Sequence, residues 1–320
     1  DLDKVKSAIE KGLVRFESNG VNANDLKRIK AELETNLYQG VSTVLNKAFQ
    51  LVQDNEFIGD PGYIVESTRL TMAVTSDDIM RVYNKYIKGK NYVMTSFVPK
   101  GQLELAVSDA KEASVWIEEV KQKVANEEVE QGDEAIYNKT ETKHDRSEPD
   151  FGELPLFKTQ EIWTGRLENG LTIFGIENNE VPLVQFDITI PGGHLLDPIG
   201  KTGVASFLSD LMMEGTATKS PADLEEAIGL LGASINMYSA NEDFHITGSC
   251  LTKNFEATMA LVKEIILEPR WDEKEFERLK LDLETRLKGR EANPNAIGSM
   301  VFNKLIYGDS HRFGIPGSGT

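Results

Sequence analysis

The chain has 320 residues, 40% hydrophobic and 27% charged, a composition typical of globular proteins and long enough for two domains. Its net charge of −17 argues against a nucleic-acid partner, because phosphate binding needs clustered lysine and arginine. No stretch approaches the roughly 18 consecutive apolar residues of a membrane span. Cys250 is the only cysteine, so no internal disulfide forms, and its strand-like surroundings favour a buried thiol over a reactive one.

The ends of the sequence look like cuts through a longer polypeptide. The chain begins at Asp1 rather than at methionine, without a secretion-signal pattern, and it stops at Thr320 where a new element is due. We therefore expect an internal piece of a larger protein.

Residues 1–103 are dominated by helical patterns. Residues 1–13 form the tail of an amphipathic helix. An asparagine cap at Asn22 or Asn24 predicts a single long helix that runs through about Val52.

Two shorter helices and a strand are predicted next. One helix covers 63–72, and another begins after the hydroxyl cap at Thr75. The core stripe of the latter helix consists of Ile79, Val82, Tyr83, Tyr86 and Ile87. A strand at 92–98 closes the series, an order that favours the C-terminal part of an α+β domain.

Residues 104–158 read as an acidic linker. Between 104 and 150 there are 14 acidic residues and 6 lysine or arginine residues. One helix is predicted at 114–129, where Trp116 and Val120 would pack on a neighbouring domain. The remainder is predicted to be an extended, solvated connector.

A second domain, 159–320, begins with strands. The segment 167–173 contains an Asn-Gly pair that suits a tight hairpin turn. Strands are predicted at 171–176 and 184–190.

Helices and a second hairpin follow in this domain. Ser220 is a strong helix start, with proline at the first helical position, and that helix ends at Gly232. Antiparallel strands are predicted at 234–238 and 244–251, and helices at 255–267 and 272–288. The order predicts an α+β fold with a mixed, mainly antiparallel sheet and helices packed on one face.

The segment from Gly203 to Thr216 is the most informative stretch, and it reads Gly-Val-Ala-Ser-Phe-Leu-Ser-Asp-Leu-Met-Met-Glu-Gly-Thr. It predicts a short helix between two glycines whose buried stripe is formed by Val204, Phe207, Leu208 and Leu211. Ser206, Ser209 and Asp210 occupy the other face at i, i+3 and i+4, where their side chains should converge. A zinc hydrolase places ligands and a general base at this spacing, but two hydroxyls and one carboxylate make a poor zinc site.

No other residues supply an obvious catalytic group. The histidines are too far apart in sequence to share a helix face, and each is predicted to be a surface or satisfied core residue: His144, His194, His245 and His311. A serine nucleophile at Ser206 or Ser209 would need a positioned base, and none is evident in the sequence.

The helix at 203–216 resembles the signature of the pitrilysin/insulinase zinc peptidases, the inverzincin group. In that signature the helix reads Gly-hydrophobic-Ala-His-Phe-Leu-Glu-His and then closes on Gly-Thr. The resemblance puts Ser206 in place of the first zinc histidine, Ser209 in place of the general-base glutamate, and Asp210 in place of the second histidine.

The family's third ligand, a glutamate on a later helix, is also missing. The resemblance places it near Thr285 or Arg286, ahead of Ala292-Asn293-Pro294, while Glu284 would point elsewhere around the helix. The segment is therefore expected to contain no catalytic, cofactor-binding or metal-binding residue, and zinc is expected in an upstream half of the protein.

The resemblance covers more of the chain. Residues 24–98 resemble the end of the family's companion domain, and 231–240 resemble the Gly-Ala strand beside its cleft. The resemblance implies two partial copies of an insulinase-type domain. Residues 1–103 are the C-terminal part of the second domain, 104–158 the linker between halves, and 159–320 the N-terminal part of a degenerate third domain.

The resemblance implies a non-catalytic segment of a zinc metalloendopeptidase that helps to form a peptide-enclosing chamber. Its partners would be peptide or unfolded protein substrate and the other half of the same chain, without nucleic acid and without a membrane span. The alternative is a structural or assembly subunit derived from a peptidase, like the core proteins of respiratory complexes, with no proteolytic activity. Among compartments, the resemblance favours the bacterial periplasm or cell envelope.

Overall fold

The computed structural model describes residues 2–111, 147, 152 and 159–319. The chain divides into two compact units, one made of 1–12 and 92–177, the other of 13–91 and 178–320. The second unit joins helices of the predicted second domain to the predicted third domain. The helix predicted at 114–129, with Trp116 and Val120, lies outside the described residues.

The described residues form helices and antiparallel strands, and the predicted α+β class is confirmed. The helices are α1 Leu2–Asn19, α2 Ala23–Gly40, α3 Val44–Ile58, α4 Tyr63–Ala73, α5 Ser76–Tyr86, α6 Val204–Met212, α7 Pro221–Leu230, α8 Phe255–Leu267, α9 Glu273–Glu291 and α10 Pro294–Tyr307. The strands are β1 Ile162–Arg166, β2 Thr172–Ile176, β3 Leu183–Pro191, β4 Ser234–Ser239 and β5 Asp243–Leu251. Of the helices in this description, none combines the length and the apolar character that crossing a membrane requires.

The first unit contains the predicted hairpin. Strands β1 and β2 pair antiparallel with Trp163 opposite Gly175, and Gly170 takes a positive φ of 91° in the connecting loop. A Cβ on Gly175 would lie 2.2 Å from the Trp163 indole, so the ring packs directly on the glycine backbone. This close approach requires glycine at that position.

The prediction of a strand at 92–98 is wrong. No described strand pairs with this segment, and the Val93 and Phe97 side chains are 91% and 92% exposed. Apolar character alone does not make a strand, because a strand needs a partner for its backbone hydrogen bonds.

The long helix predicted from Asn22 to Val52 is two helices. Asn22 does cap α2, since its side chain accepts hydrogen bonds from the N–H groups of the second and third following residues. The helix ends at Gly40, and Thr43 opens α3 by accepting the N–H of Asn46 at 3.2 Å. Glycine weakens a helix interior and a threonine hydroxyl favours a new cap, so this pair of residues breaks the pattern.

The helix predicted after Thr75 is confirmed as α5, and Thr75 and Asp78 form a capping box. Its predicted core stripe is only partly buried. Tyr83 is buried and packs edge-on against Phe16, whereas Val82 and Tyr86 are 42% and 62% exposed. Helical periodicity therefore identified the apolar face of α5 but not its burial.

The second unit is built on a three-stranded sheet of order β3-β5-β4, paired antiparallel throughout. Helices α7 and α8 pack on one face of it. The buried core consists of Leu224, Ile235, Met237, Ile246, Val262 and Ile265. This core fixes the position of β4, which forms one edge of the described sheet.

Three further helices of this unit begin at capping residues. Ser220 forms a capping box with Asp223 at the start of α7, and Asp272 caps α9. Helix α10 was not predicted, although Asn293 followed by Pro294 is a helix-start signal and Asn293 does cap it.

Candidate functional site

Helix α6 carries the signature segment, and its N-terminus is held by a residue outside it. Asp197 is 4% exposed, and its two carboxylate oxygens accept the N–H of Gly203 at 2.8 Å and that of Ala205 at 2.9 Å. Gly203 itself has a positive φ of 107° and offers no capping side chain. Asp197 therefore satisfies amide groups that every helix leaves unpaired at its start.

The C-terminal end of the signature is held equally firmly. Thr216, fully buried, and Thr218 each donate a hydrogen bond of 2.5 Å to Glu264 on α8, and Lys219 adds a third at 2.6 Å. Hydrogen bonds from Lys219 and both threonines lower the pKa of Glu264 from 4.5 to about 2. The closing Gly-Thr of the signature thus has a packing role here, independent of any metal.

The predicted apolar stripe of α6 is only partly correct. Leu211 is 8% exposed, and Phe207 packs edge-on against Phe276 of α9 with ring centroids 5.0 Å apart. Val204 and Leu208, however, are 50% and 37% exposed. Over its nine residues α6 packs on β4 and α9, and this packing leaves these two side chains partly exposed.

The three polar side chains of α6 do not share one environment. Ser209 is 2% exposed, and its hydroxyl donates a 2.7 Å hydrogen bond to the carbonyl of Ser206. A buried hydroxyl committed to its own helix is unsuited to act as a nucleophile. Ser209 and Asp210 line a cleft beside the helix, and Ser206 does not.

Asp210 instead forms an ion pair with the residue near the expected third-ligand position. The Arg286 guanidinium on α9 donates to Oδ2 of Asp210 at 3.1 Å, with the two side chains 60% and 37% exposed. Thr285, the other predicted position, turns its hydroxyl back to the carbonyl of Leu281. The structure therefore brings together Asp210 and Arg286, two positions that the sequence pattern assigned to metal ligands.

A second ion pair joins α9 to the segment that follows α6. Arg278 of α9 contacts Glu214 at 2.6 Å, Glu275 at 2.7 Å and Asp282 at 3.1 Å. Hydrogen bonds to Glu275 and Glu214 raise the pKa of Arg278, so it stays charged. Sequence reasoning missed this pair, because Glu214 and Arg278 are 64 residues apart and no local pattern links them.

A cleft of about 510 Å³ opens between α6, α9 and β4, with Asp210, Asp282 and Arg286 in its walls. A second cavity of about 640 Å³ is lined by residues of β4, α2 and α7. The two cavities share four lining residues, which are Met213, Glu214, Ile235 and Asn236. Both cavities therefore border β4, and we call the two together the β4 groove.

The side chains at the position that the resemblance assigns to zinc do not fit that metal. Tetrahedral zinc sites are built from imidazole, thiolate and carboxylate groups. Here one carboxylate, Asp210, is paired with the permanently cationic Arg286, which would repel a metal ion. Across the described ranges, no group of three or more histidine, cysteine, aspartate or glutamate side chains is arranged to hold a metal.

The histidines of the described chain and Cys250 pack against other residues. His194 is 9% exposed and its ring packs on Gly317, while His245 contacts Asp187 at 3.0 Å and stacks on Tyr238. His144 lies outside the described residues, and His311 belongs to an exposed aromatic group with Tyr307 and Phe313. Cys250 is fully buried, and burial raises the pKa of its thiol. These surroundings favour packing roles over chemistry.

Comparison with known proteins identifies relatives that match parts of the chain. It is 24% identical over 153 residues to the uncharacterized zinc protease YmxG of Bacillus subtilis, a match covering 48% of this chain and 37% of that protein. It is 23% identical over 145 residues to cytochrome b-c1 complex subunit 1 of Bos taurus, covering 45% of this chain and 29% of that protein. The chain thus spans about a third of the length of these relatives.

Among solved structures, the chain is similar to the peptidase M16 inactive domain from Pseudomonas fluorescens, with a TM-score of 0.47, 20% identity, and coverage of 49% of this chain and 38% of that one. Residues 174–309 match the sequence profile of Insulinase (Peptidase family M16). This range contains α6 and α9, the two helices that carry Asp210 and Arg286. The part of the chain from 174 to 309 is therefore similar to the insulinase family of peptidases.

Proposed function

We propose that this chain is a non-catalytic part of an insulinase-type zinc endopeptidase, in which it contributes to the wall of a chamber that encloses peptide substrates. The zinc site would lie in a preceding half of the same polypeptide. We further propose the domain division given by the sequence pattern, with the degenerate domain beginning near residue 159. Location in a bacterial envelope also stays a prediction, which fractionation of cells that express the full protein would test.

The observation that carries this proposal is the ion pair between Asp210 and Arg286. The rest of the signature helix keeps its supports, with Asp197 at its start and Glu264 beyond its end. The helices that would form a metal site are present, but the side chains at two of the ligand positions pair with each other. This arrangement favours a role in packing and binding over a role in catalysis.

The β4 groove supports a role in contacting peptide. Strand β4 is an edge of the described sheet, and an extended peptide can add to such an edge through backbone hydrogen bonds. Asn236 in the middle of β4 is exposed and lines both cavities of the groove. A bound peptide would follow β4 past this residue.

The test combines metal analysis with peptide binding. The purified chain should carry no stoichiometric zinc and cleave no peptide, yet bind an unstructured peptide, measured by fluorescence anisotropy. Asn236→Trp should block the groove and abolish this binding, whereas Asn84→Trp on the exposed surface of α5 should not. Stoichiometric zinc with peptide cleavage, or binding that survives Asn236→Trp, would defeat the proposal.

A second candidate is a structural or assembly subunit without proteolytic activity. The match to cytochrome b-c1 complex subunit 1 and the exposed apolar face of α5 favour this alternative. It predicts that the zinc signature is absent from every part of the full-length protein. The gene sequence upstream of Asp1 separates the two candidates, because only the first requires an intact His-x-x-Glu-His.

A further inference from the structure

The lining of the β4 groove is unbalanced in charge. Its lining contains five carboxylates and two guanidiniums; these are Glu32, Asp210, Glu214, Glu225 and Asp282 against Arg28 and Arg286. Arg278 is not part of the lining but pairs with Glu214 and Asp282, so five carboxylates face three guanidiniums and two negative charges remain in excess. A groove of one predominant sign favours a partner of the opposite sign and disfavours a partner of its own. The charge therefore bears on which peptides the groove accepts.

Two of these carboxylates are available to a ligand. Asp210 and Asp282 are 37% and 57% exposed, and each accepts an arginine hydrogen bond of 3.1 Å through Oδ2. Within the described chain their Oδ1 atoms have no hydrogen-bond partner. Glu214 differs, because it is 19% exposed and pairs with Arg278 at 2.6 Å.

The floor of the cleft suits the stem of a long basic side chain. Met213, Met237 and Leu279 lie beside the two aspartates and present apolar surface. Lysine and arginine bury their methylene groups on such surfaces while the charged end reaches polar groups.

The cleft already holds a guanidinium that is weakly retained. Arg286 is 60% exposed and contacts Asp210 through one nitrogen, at 3.1 Å. Exposed ion pairs of this kind contribute little to stability, so exchanging one guanidinium for another costs little.

We propose that the β4 groove selects extended peptides with a basic side chain, which enters the cleft, pairs with Asp210 and Asp282, and displaces Arg286 from Asp210. Arg286 is then an internal competitor of the ligand. The inference rests on the proposed peptide-binding role of the groove and names the class of peptide that it prefers.

The test compares two labelled peptides that differ at one position, arginine in one and its neutral isostere citrulline in the other. By fluorescence anisotropy at low salt, the arginine peptide should bind about tenfold more tightly. Added salt should reduce the ratio, because the charges are partly exposed. Asp210→Asn should bring the ratio close to one, and Arg286→Ala should raise it about threefold by removing the competitor.

Glu268→Gln is the matched control, because it removes one negative charge from an exposed position outside the groove and should leave the ratio unchanged. If both peptides bind equally well, and neither binds to Asn236→Trp, the preference for basic residues is overturned. The peptide-binding role of the groove is then left intact. A ratio that is unchanged in Asp210→Asn would overturn the assigned cleft. If neither peptide binds, the binding role itself is overturned.

Discussion

The Glu264 cluster offers the sharpest test of what holds the signature helix in place. Its carboxylate accepts hydrogen bonds from Thr216, Thr218 and Lys219, at 2.5, 2.5 and 2.6 Å. The Glu264 side chain is 19% exposed, so solvent screens these contacts only partly. The proposed perturbation is Glu264→Gln, which removes the charge and keeps the shape.

The expected magnitude follows from the pKa. Because the pKa of Glu264 falls from 4.5 to about 2 on folding, the ionised side chain contributes at most about 3 kcal/mol to the free energy of unfolding. A lowered pKa in the folded state means that this contribution is complete above pH 4.5 and is lost as the pH falls through about 2. Glu264→Gln should therefore lower the free energy of unfolding by about 2–3 kcal/mol at neutral pH and by little near pH 2.

Urea unfolding followed by circular dichroism at a series of pH values measures the free energy of unfolding of the original protein and of Glu264→Gln. The difference between the two proteins should shrink steadily as the solution is acidified. Glu268→Gln, at an exposed position on the C-terminal side of the same helix, should show no such trend. A difference that stays constant across the range would refute the reasoning, since the cost would then come from packing rather than from the ionised carboxylate.

Three further variants probe the Asp210–Arg286 site and its supports. Ser206→His, Asp210→His and Arg286→Glu together should create Zn²⁺ binding, measured by competition with a chromogenic chelator, because residues 206 and 210 are one helical turn apart on α6 and Arg286 of α9 already contacts Asp210. Asp197→Ala should lower the free energy of unfolding by about 1–2 kcal/mol, seen as a lower Tm, because two amides of α6 lose their acceptor. Gly232→Ala should cost about 1–3 kcal/mol and speed hydrogen exchange in α2, because φ is +57° and the new Cβ would lie 2.5 Å from a carbonyl oxygen of α2.

Each of these variants has a matched control substitution. The double variant that keeps Ser206 should bind zinc more weakly than the triple, and equal, negligible binding in both would show that the helices do not converge as described. Asp197→Asn keeps one carbonyl oxygen and should cost less than Asp197→Ala. Gly289→Ala, in a helix with no atom within 4 Å of the new Cβ, should be neutral or stabilising. A loss in Gly289→Ala equal to that in Gly232→Ala would contradict the close-approach argument.

Local features of the fold were predictable because the interacting groups are neighbours in sequence. Asn22, Thr75 and Ser220 each cap a helix through an N–H two or three residues away. The β1–β2 hairpin likewise depends on one short turn that contains Gly170. Such contacts need no knowledge of the rest of the chain.

Features that depend on distant partners were not predictable in the same way. The periodicity around Gly40 fitted one helix, and only the competing cap at Thr43 divides it. The apolar segment 92–98 fitted a strand, but strand formation depends on a pairing partner elsewhere in the chain. Propensity is a weak guide wherever tertiary contacts decide.

The candidate site shows the same division. The signature spacing located Ser206, Ser209 and Asp210, yet it could not show that Ser209 is buried. Asp197 lies six residues before Gly203, beyond the reach of the usual capping pattern, and thus gave no signal. The partnership of Asp210 with Arg286 joins positions 76 residues apart and required the fold.

The Asp210–Arg286 pair makes a metal site at this position hard to create by single substitutions. Arg286→Glu alone would set two carboxylates against each other where a carboxylate and a guanidinium now lie 3.1 Å apart. Asp210→His alone would leave an imidazole facing a permanent cation, which disfavours its protonation and supplies only one of the ligands. Either single substitution therefore gives a protein that has lost the ion pair and gained no metal. At least two coordinated substitutions are needed before the position can hold one.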